Sequence, residues 1–283
     1  MTKKKSKQKK SRKGFVVFLI IVAVIAIGAV PQKISKTVSS DLSIQKLLKN
    51  EPLYAAHRGL SAICPQNTIP AFKAAAKAGY YAFECDVHTT ADGKWVVIHN
   101  DTVDAMTDGE GDVEKFTFEQ IRKFKIDGGN NIKDYENLQI PTLEETLEVC
   151  DDSEIIPIIE IKKCDVKYYP EFLKILEKHK LLDKVVIISF NFDYLTQLQT
   201  LNPNLNMMYL IKNPTKETVD MCVENGNMGI DFYGPNLIKC SGAIKYAKQK
   251  ELQIGAWTID DTLTMDVLRM AGVDLITTNR IIP

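Results

Sequence analysis

Short apolar runs alternate with amphipathic stretches from residue 53 to the end of the chain. Eight runs are rich in apolar and β-branched residues and have the length of strands: 53–56, 81–87, 155–161, 185–190, 207–211, 228–232, 253–258 and 274–278. The stretches between them repeat apolar residues every three or four positions, as helices do, at 69–78, 143–150, 171–179, 194–201, 218–225, 243–250 and 263–270. Eight strands alternating with helices predict an α/β fold, a parallel (β/α)8 TIM barrel rather than an open sheet.

The interval between the second and third predicted strands is longer than the others. It contains an Asp92-Gly93 pair, a further apolar run at 95–99, and a segment rich in Gly and Asp over 108–137. Asp-Gly between two apolar runs is a strong hairpin signal. The sequence therefore predicts a small hairpin and loop insertion after strand 2, which brings His99 back over the barrel mouth.

The first 30 residues differ from the rest of the chain. Residues 3–13 contain eight Lys or Arg and no acid, and residues 14–30 contain no charged side chain. Seventeen apolar residues reach the lower limit of about 17–25 for a membrane-spanning helix, and basic flanks remain cytoplasmic. We expect a basic cytoplasmic tail at 1–13, one transmembrane anchor at 14–30, a linker at 31–49, and a barrel domain at 50–283 outside the cytoplasm. Cleavage near 26–28, which would release a secreted form, is the alternative.

Charge and cysteine content restrict the partners of the domain. The chain has 36 basic and 36 acidic residues, so removing the eight cations of the tail leaves 28 against 36, a net charge of −8. This balance disfavours nucleic acid or an anionic membrane surface as a partner, apart from the predicted helical anchor. The six cysteines have no metal-binding spacing, and we expect buried free thiols rather than disulfides.

Charged residues cluster at the ends of the second and third predicted strands. Residues i and i+2 of a strand share a face, so Glu84 points with Asp86, and Glu160 points with Lys162. At the C-terminal ends of barrel strands these side chains would line the mouth, where barrel enzymes place their active sites. Three carboxylates repel one another unless a cation holds them, and oxygen ligands favour Mg²⁺ or Ca²⁺.

Two histidines and two fixed cations complete this candidate site. His57 and His99 are candidates for general acid and base, because imidazole titrates near neutral pH. Arg58 and Lys162 are candidates for binding phosphate, and Gly59 lets the backbone approach a ligand closely.

Other polar and aromatic residues give weaker signals. We expect His88 and His179 at the surface. Trp257 and Tyr233 lie near strand ends, where they either line a glycerol or lipid pocket or belong to the core.

The chain resembles the bacterial type of glycerophosphodiester phosphodiesterase from about residue 54 to its end. The matching residues are His57-Arg58-Gly59, Pro65-Gln66-Asn67-Thr68 with Ala71-Phe72, Glu84 and Asp86-Val87, Thr90 with Asp92-Gly93, His99, the segment 140–145, the segment 159–162, Ser189-Phe190, Trp257-Thr258 and Gly272-Val273-Asp274. The resemblance implies a barrel with a divalent metal ion on Glu84, Asp86 and Glu160. It also implies acid–base catalysis by His57 and His99, and phosphate contacts from Arg58 and Lys162.

The reaction implied by this resemblance is hydrolysis of a glycerophosphodiester to glycerol 3-phosphate and an alcohol. The glycerol 2-hydroxyl would attack phosphorus, and water would open the resulting cyclic phosphate. The partner would be a small-molecule or lipid-derived phosphodiester. Two residues depart from the family pattern: Gln66 stands where Glu is usual, and Asn100 where Asp is usual. Alternative substrates are a lysophospholipid or a glycerophosphate polymer of a cell wall. Phosphoinositides or sphingomyelin, which related barrel enzymes cleave, are a weaker alternative. A non-catalytic surface binding module is the alternative from a different class.

Overall fold

The structure, a computed structural model, describes residues 52–226 and 228–280. The predicted basic tail, anchor and linker lie outside these residues. Within the described part of the chain, none of the helices is both long enough and apolar enough to cross a bilayer.

Eight parallel strands close into a barrel, as the alternating pattern predicts. The strands of the barrel are β1 (Leu53–Ala56), β2 (Ala82–Thr89), β4 (Ile156–Lys163), β5 (Val186–Ser189), β6 (Asn206–Ile211), β7 (Gly229–Tyr233), β8 (Ile254–Trp257) and β9 (Leu275–Thr278). Each strand pairs with its sequence neighbour in the barrel, and β1 pairs with both β9 and β2, which closes the sheet. A closed sheet has no free edge, and all eight C-terminal strand ends face the same mouth.

The helices, with one exception, pack on the outer face of the barrel. They are α1 (Ile69–Lys77), α2 (Phe118–Ile121), α3 (Leu143–Asp151), α4 (Tyr169–Lys178), α5 (Phe192–Leu201), α6 (Lys216–Glu224), α7 (Leu237–Gln249) and α8 (Thr262–Ala271). Threonine side chains cap the N-termini of several of them, as Thr142 does for α3 and Thr215 for α6. Helix α7 begins six residues before the predicted start, because Leu237 and Cys240 also face inward and are buried. The exception is the four-residue α2, which belongs to the insertion after β2 and was not predicted.

The core has two layers, one inside the barrel and one between strands and helices. The interior layer consists of Ala55, Ala82, Ile158, Ile188, Met208, Leu210 and Leu275. The outer layer is larger and aromatic-rich, with Phe72 of α1 packed on Phe83 of β2 at a ring distance of 4.6 Å. Along β2 and β4 the inward positions change from Ala82 and Ile158 to carboxylates. The apolar floor therefore lies beneath a charged mouth.

The insertion forms the predicted hairpin and has a small core of its own. Strand β3 (Trp95–Val97) pairs antiparallel with the end of β2 and stops two residues before the predicted end, so that His99 lies in the turn that follows. The residues Val96, Ile98, Val103, Val113, Ile121, Ile126 and Ile140 pack together beneath this segment. This packing holds the segment with His99 against the barrel mouth.

Two histidines lie where the sequence did not place them. His88 is buried, because β2 continues to Thr89 and pairs His88 with Val96 of the hairpin. His179 is buried as well, and its Nδ1 lies 2.8 Å from Asp151 Oδ2. The prediction of surface positions for both was wrong, since it ignored pairing partners that are distant in sequence. All six cysteines are unpaired, as expected, but only four of them are buried, since Cys150 and Cys164 are partly exposed.

Candidate active site

The chain makes a sharp turn directly after β1, at His57 and Arg58. The backbone N–H of His57 donates to Thr278 O at 2.9 Å, which extends the β1–β9 ladder by one residue. Arg58 then adopts a left-handed conformation with φ +58°, and its backbone N–H donates to Glu84 Oε2 at 2.8 Å. Such a conformation costs a non-glycine residue about 1–3 kcal/mol and often occurs at functional sites.

Gly59 follows with φ +73°, and a Cβ there would lie 2.7 Å from the carbonyl carbon of Ala71. Glycine is therefore required by both the backbone conformation and the close approach of α1. This turn fixes the directions of the His57 and Arg58 side chains at the mouth.

The three predicted carboxylates meet at the mouth. Glu84, Asp86 and Glu160 each contribute an oxygen to a buried group in which the ligand atoms lie within 4.8 Å of one another. Asp86 and Glu160 are partners in the register of β2 and β4, which places the two strands' carboxylates side by side. Oxygen atoms in this arrangement are the donor set that a hard divalent cation prefers.

The pKa values of the three carboxyl groups are shifted because the groups are buried close to one another. Burial, with the charges of Asp86 and Glu160, raises the pKa of Glu84 well above its usual value. Burial and Asp86 raise the pKa of Glu160 to about 7. For Asp86, burial is outweighed by His99 and the cations Arg58 and Lys162, which lower its pKa. Full ionisation of the three carboxyl groups would place like charges side by side, and a divalent ion bound between them would favour that state.

Arg58 and Lys162 stand on either side of Asp86. Arg58 Nη1 donates to Gln66 Oε1 at 2.6 Å, and its Nε lies 3.4 Å from Asp86 Oδ2. Lys162 Nζ lies 2.9 Å from Glu160 Oε1 and 3.8 Å from Asp86 Oδ1. Arg58 Nε and Asp86 Oδ1 are buried without hydrogen-bond partners in the described part of the chain. Buried polar atoms without partners indicate that a ligand binds there. Arg58 Nε suits an anion, and Asp86 Oδ1 suits a cation.

Both candidate catalytic histidines present their Nδ1 atoms to asparagine side chains. His57 Nδ1 lies 2.7 Å from Asn279 Oδ1, and His99 Nδ1 lies 2.6 Å from Asn100 Oδ1. An amide oxygen only accepts, so each Nδ1 carries the hydrogen and each Nε2 is left for chemistry. Burial and the charge of Arg58 lower the pKa of His57 to about 4. Burial also lowers the pKa of His99.

Supporting residues that sequence reasoning did not single out orient this machinery. Asn67, with φ +56°, donates from Nδ2 to Asp86 Oδ2 at 2.8 Å and accepts the Asp86 backbone N–H at 3.2 Å. Asp260 accepts from Asn279 N at 2.8 Å and from its Nδ2 at 2.9 Å, so the amide oxygen of Asn279 faces His57. Asn67 lies in the Gln-Asn-Thr segment before α1, which was the available signal. Asp260 and Asn279 lie in turns, whose contacts a single sequence does not indicate.

The site opens on two spaces of different size. An inner cavity of about 110 Å³ is lined by both histidines, Arg58, Lys162 and, deeper in the barrel, Asp231. An outer groove of about 480 Å³ runs from Glu160 and Lys162 past Phe190 to the start of α5.

An aromatic cluster borders these spaces. The Trp257 ring lies 5.4 Å from Phe190 and 5.3 Å from Tyr233 between centroids. Phe190 is 45% exposed although it is a large apolar side chain. Trp257 and Phe190 both line the inner cavity, so the structure assigns Trp257 to the pocket rather than to the core alone.

A parallel barrel with carboxylates, two imidazoles and two cations at its mouth is the arrangement expected of a hydrolase of phosphate esters, and its carboxylates could hold a metal ion. A family model described as the glycerophosphoryl diester phosphodiesterase family matches residues 57–282. The chain belongs to this family of enzymes.

Individual relatives agree with this assignment. A glycerophosphodiester phosphodiesterase of Caldanaerobacter subterraneus is 34% identical over 232 residues, which cover 80% of this chain and 93% of that protein. The crystal structure of a glycerophosphodiester phosphodiesterase from Parabacteroides distasonis is 26% identical, with a TM-score of 0.70 over 82% of this chain and 94% of that one.

A phosphodiesterase from Oleispira antarctica, solved with its product sn-glycerol-3-phosphate, has the same fold. Its TM-score is 0.72 at 23% identity, over 82% of this chain and 95% of that one.

Proposed function

We propose that the chain hydrolyses glycerophosphodiesters to glycerol 3-phosphate and an alcohol, using a divalent ion and two histidines at the barrel mouth. The observation that carries the proposal is the convergence of His57, Arg58, His99 and Lys162 on one inner cavity beside the carboxylate cluster. Family membership adds the substrate class. Retention of this whole set argues against a non-catalytic binding module.

Glu84, Asp86 and Glu160 would hold the metal ion, and their oxygen donors favour Mg²⁺ or Ca²⁺. When bound, the ion supplies positive charge that offsets the negative charge growing on the phosphoryl oxygens. Arg58 and Lys162 bind the same phosphate from the protein side, Arg58 through its planar fork and Lys162 as a point charge.

The two histidines exchange protons with the substrate. The glycerol 2-hydroxyl attacks phosphorus and gives its proton to Nε2 of His57, which is neutral at pH 7 because its pKa is about 4. The bond from phosphorus to the leaving alcohol breaks, and His99 donates from Nε2 to that oxygen in its imidazolium form, which is the minority form at pH 7 because burial lowers its pKa. In the second half, His99 takes a proton from water as the water attacks the cyclic phosphate, and His57 returns its proton to the 2-oxygen.

The outer groove would receive the leaving alcohol. Phe190 and the exposed edge of the cluster with Tyr233 and Trp257 present aromatic faces next to it. Aromatic faces attract a quaternary ammonium such as choline by cation–π interaction. They also accept an alkyl chain, which keeps a lysophospholipid as the second candidate substrate.

We also propose that residues 14–30 anchor the protein in the cell membrane and leave the barrel outside the cytoplasm. The support for this is the 17-residue uncharged run and the eight cations before it. Protease added to intact cells should then degrade the barrel, and degradation only after lysis would contradict this topology.

The function is tested with the full-length chain in detergent and glycerophosphocholine as substrate. We expect release of glycerol 3-phosphate, its loss on addition of a chelator, and its recovery with Mg²⁺ or Ca²⁺. Parallel reactions contain a lysophospholipid and a glycerophosphate polymer. Turnover of only one of these would reassign the substrate, and a folded protein without turnover of any of them would overturn the proposal.

A further inference from the structure

A carboxyl group deep in the inner cavity has no role in the chemistry above. Asp231 lies on β7 with its side chain pointing into the barrel, and the residue is 1% exposed. Its Oδ1 is buried and has no hydrogen-bond partner in the described residues. Burial of an unpaired polar group costs stability, so this carboxyl calls for a ligand that satisfies it.

The barrel is built to accommodate this carboxyl. Asp231 is the register partner of Gly255 on β8, and a Cβ on Gly255 would lie 2.7 Å from Asp231 Oδ1. Gly255 therefore leaves the space that the carboxyl occupies. Asp231 does not belong to the group of Glu84, Asp86 and Glu160 that could hold a metal ion.

The chemistry of Asp231 suits a hydroxyl group. Burial, with the charge of Glu160 adding to it, raises the pKa of Asp231 well above its usual value, which favours the protonated form. In either form a carboxyl oxygen accepts a hydrogen bond from an alcohol, and in the protonated form the carboxyl also donates one. Neither a second anion nor an apolar group would satisfy it.

The dimensions of the cavity restrict what reaches Asp231. The inner cavity has about 110 Å³, and beneath it the barrel is filled by Ala55, Ile158 and Met208. This space is roughly that of three or four water-sized groups, so it accepts the end of a short polyol and excludes an acyl chain. With the phosphate held by Arg58 and Lys162 at the mouth, the group pointing inward is the unesterified end of glycerol.

We propose that Asp231 is a specificity residue that binds the free terminal hydroxyl of the substrate's glycerol moiety. The inference rests on the proposed function and narrows it. A glycerophosphodiester presents this hydroxyl, whereas a lysophospholipid acylated at that position does not. The enzyme then selects deacylated substrates, and the aromatic rim accommodates the other alcohol.

The test compares two ligands that differ only in this hydroxyl. Full-length protein with Mg²⁺ is titrated calorimetrically with sn-glycerol 3-phosphate and with 2-hydroxypropyl phosphate, which lacks the terminal hydroxyl. We expect the wild type to bind glycerol 3-phosphate about tenfold to a hundredfold more tightly, the range for a hydrogen bond to a buried group. Asp231→Ala should abolish this preference. Asp231→Asn should retain much of it, because an amide also donates and accepts.

Two further readouts separate specificity from structure. The thermal midpoint of ligand-free Asp231→Ala should not fall, because the variant removes an unsatisfied carboxyl. If Asp231→Ala does not fold, Gly255→Ala serves instead, since its Cβ displaces the carboxyl and should remove the same preference. A wild type without preference, or an Asp231→Ala or Gly255→Ala protein that keeps it, would overturn the assignment.

Glycerophosphocholine and 2-hydroxypropyl phosphocholine, the ester that lacks the terminal hydroxyl, distinguish this inference from the proposed function. Turnover of both esters at equal kcat/KM would leave the function standing and remove Asp231 as a specificity residue. Tighter binding of glycerol 3-phosphate without turnover of either ester would leave Asp231 as the residue that binds the hydroxyl and would overturn the proposed function.

Discussion

At the scale of single residues, the candidate site depends on the side chains that orient His57 and Asp86 as much as on these two residues themselves. Asp260 orients Asn279, and Asn279 fixes the tautomer of His57. His57, His99 and the carboxylates were predicted because strand parity and residue type single them out. The supporting residues were not, because their partners lie up to 222 positions away and no local pattern encodes such contacts.

Exchanging Asn279 for aspartate should move the pH dependence of the enzyme. The hydrogen bond that His57 Nδ1–H donates to Asn279 raises the pKa of His57 from the lower value that burial alone would give, and a carboxylate at the same place favours the imidazolium further. We therefore expect the acidic limb of kcat/KM in Asn279→Asp to shift to higher pH. Asn279→Ala, which removes the acceptor, should lower kcat about tenfold to a hundredfold. A pH profile unchanged in both variants would contradict the role of this contact.

At the scale of elements, the turn after β1 joins the site to the fold. The strand–helix pattern predicts where β1 and α1 lie, but not that Arg58 and Asn67 adopt left-handed backbone conformations between them. The barrel strands were predicted within a few residues, since their apolar runs are distinct. Helix α7 was predicted too short, because Leu237–Gln249 has an interrupted apolar face that packs only in the tertiary context.

The glycine of this turn should be irreplaceable for steric reasons. Gly59→Ala adds both left-handed strain and a clash with the α1 backbone, and we expect a loss of about 2–4 kcal/mol in the free energy of unfolding. Gly79→Ala is the matched control, because Gly79 has φ +79° but nothing within 4 Å of a Cβ. It should lose about 1 kcal/mol. Urea denaturation measures the free energy of unfolding of both variants. Equal losses would show that the close approach of α1 to Gly59 adds nothing to the cost of the left-handed conformation.

At the scale of the whole molecule, the barrel brings three carboxyl groups together at its mouth, where they could hold a cation. The sequence predicted the donor set, because β2 carries Glu84 and Asp86 at i and i+2, and β4 carries Glu160 with Lys162 at the same spacing. It did not predict the protonation state, which depends on burial. Glu160 holds a proton up to about pH 7 in the metal-free protein, so cation binding has to displace it.

Metal affinity should therefore increase with pH. Displacement of the Glu160 proton gives up to about tenfold tighter apparent Mg²⁺ binding per pH unit below about pH 7, and the raised pKa of Glu84 acts in the same direction. His57 is neutral in the folded and unfolded states above its usual pKa of 6.5. Above pH 6.5, therefore, His57 does not contribute, and the raised pKa of Glu160 makes the metal-free protein less stable as the pH increases through about 7. Bound Mg²⁺ should restore the free energy of unfolding that is lost in this way.

Calorimetric titration with Mg²⁺ at pH 6, 7 and 8 measures the affinity, and repeating it in buffers of different ionisation enthalpy counts the protons released. The thermal midpoints of the metal-free protein across the same range check the stability effect. Affinity independent of pH would mean that Glu160 is ionised before the cation binds.

The most direct test of the account is the steady-state rate of glycerol 3-phosphate release from glycerophosphocholine by metal-saturated wild type, His57→Ala and His99→Ala. We expect each variant to lose about 10²–10⁴-fold in kcat, the contribution of one general acid or base, while its thermal midpoint and Mg²⁺ affinity stay close to those of the wild type. A variant that turns over at the wild-type rate would contradict the assignment of catalysis to the two histidines at this mouth.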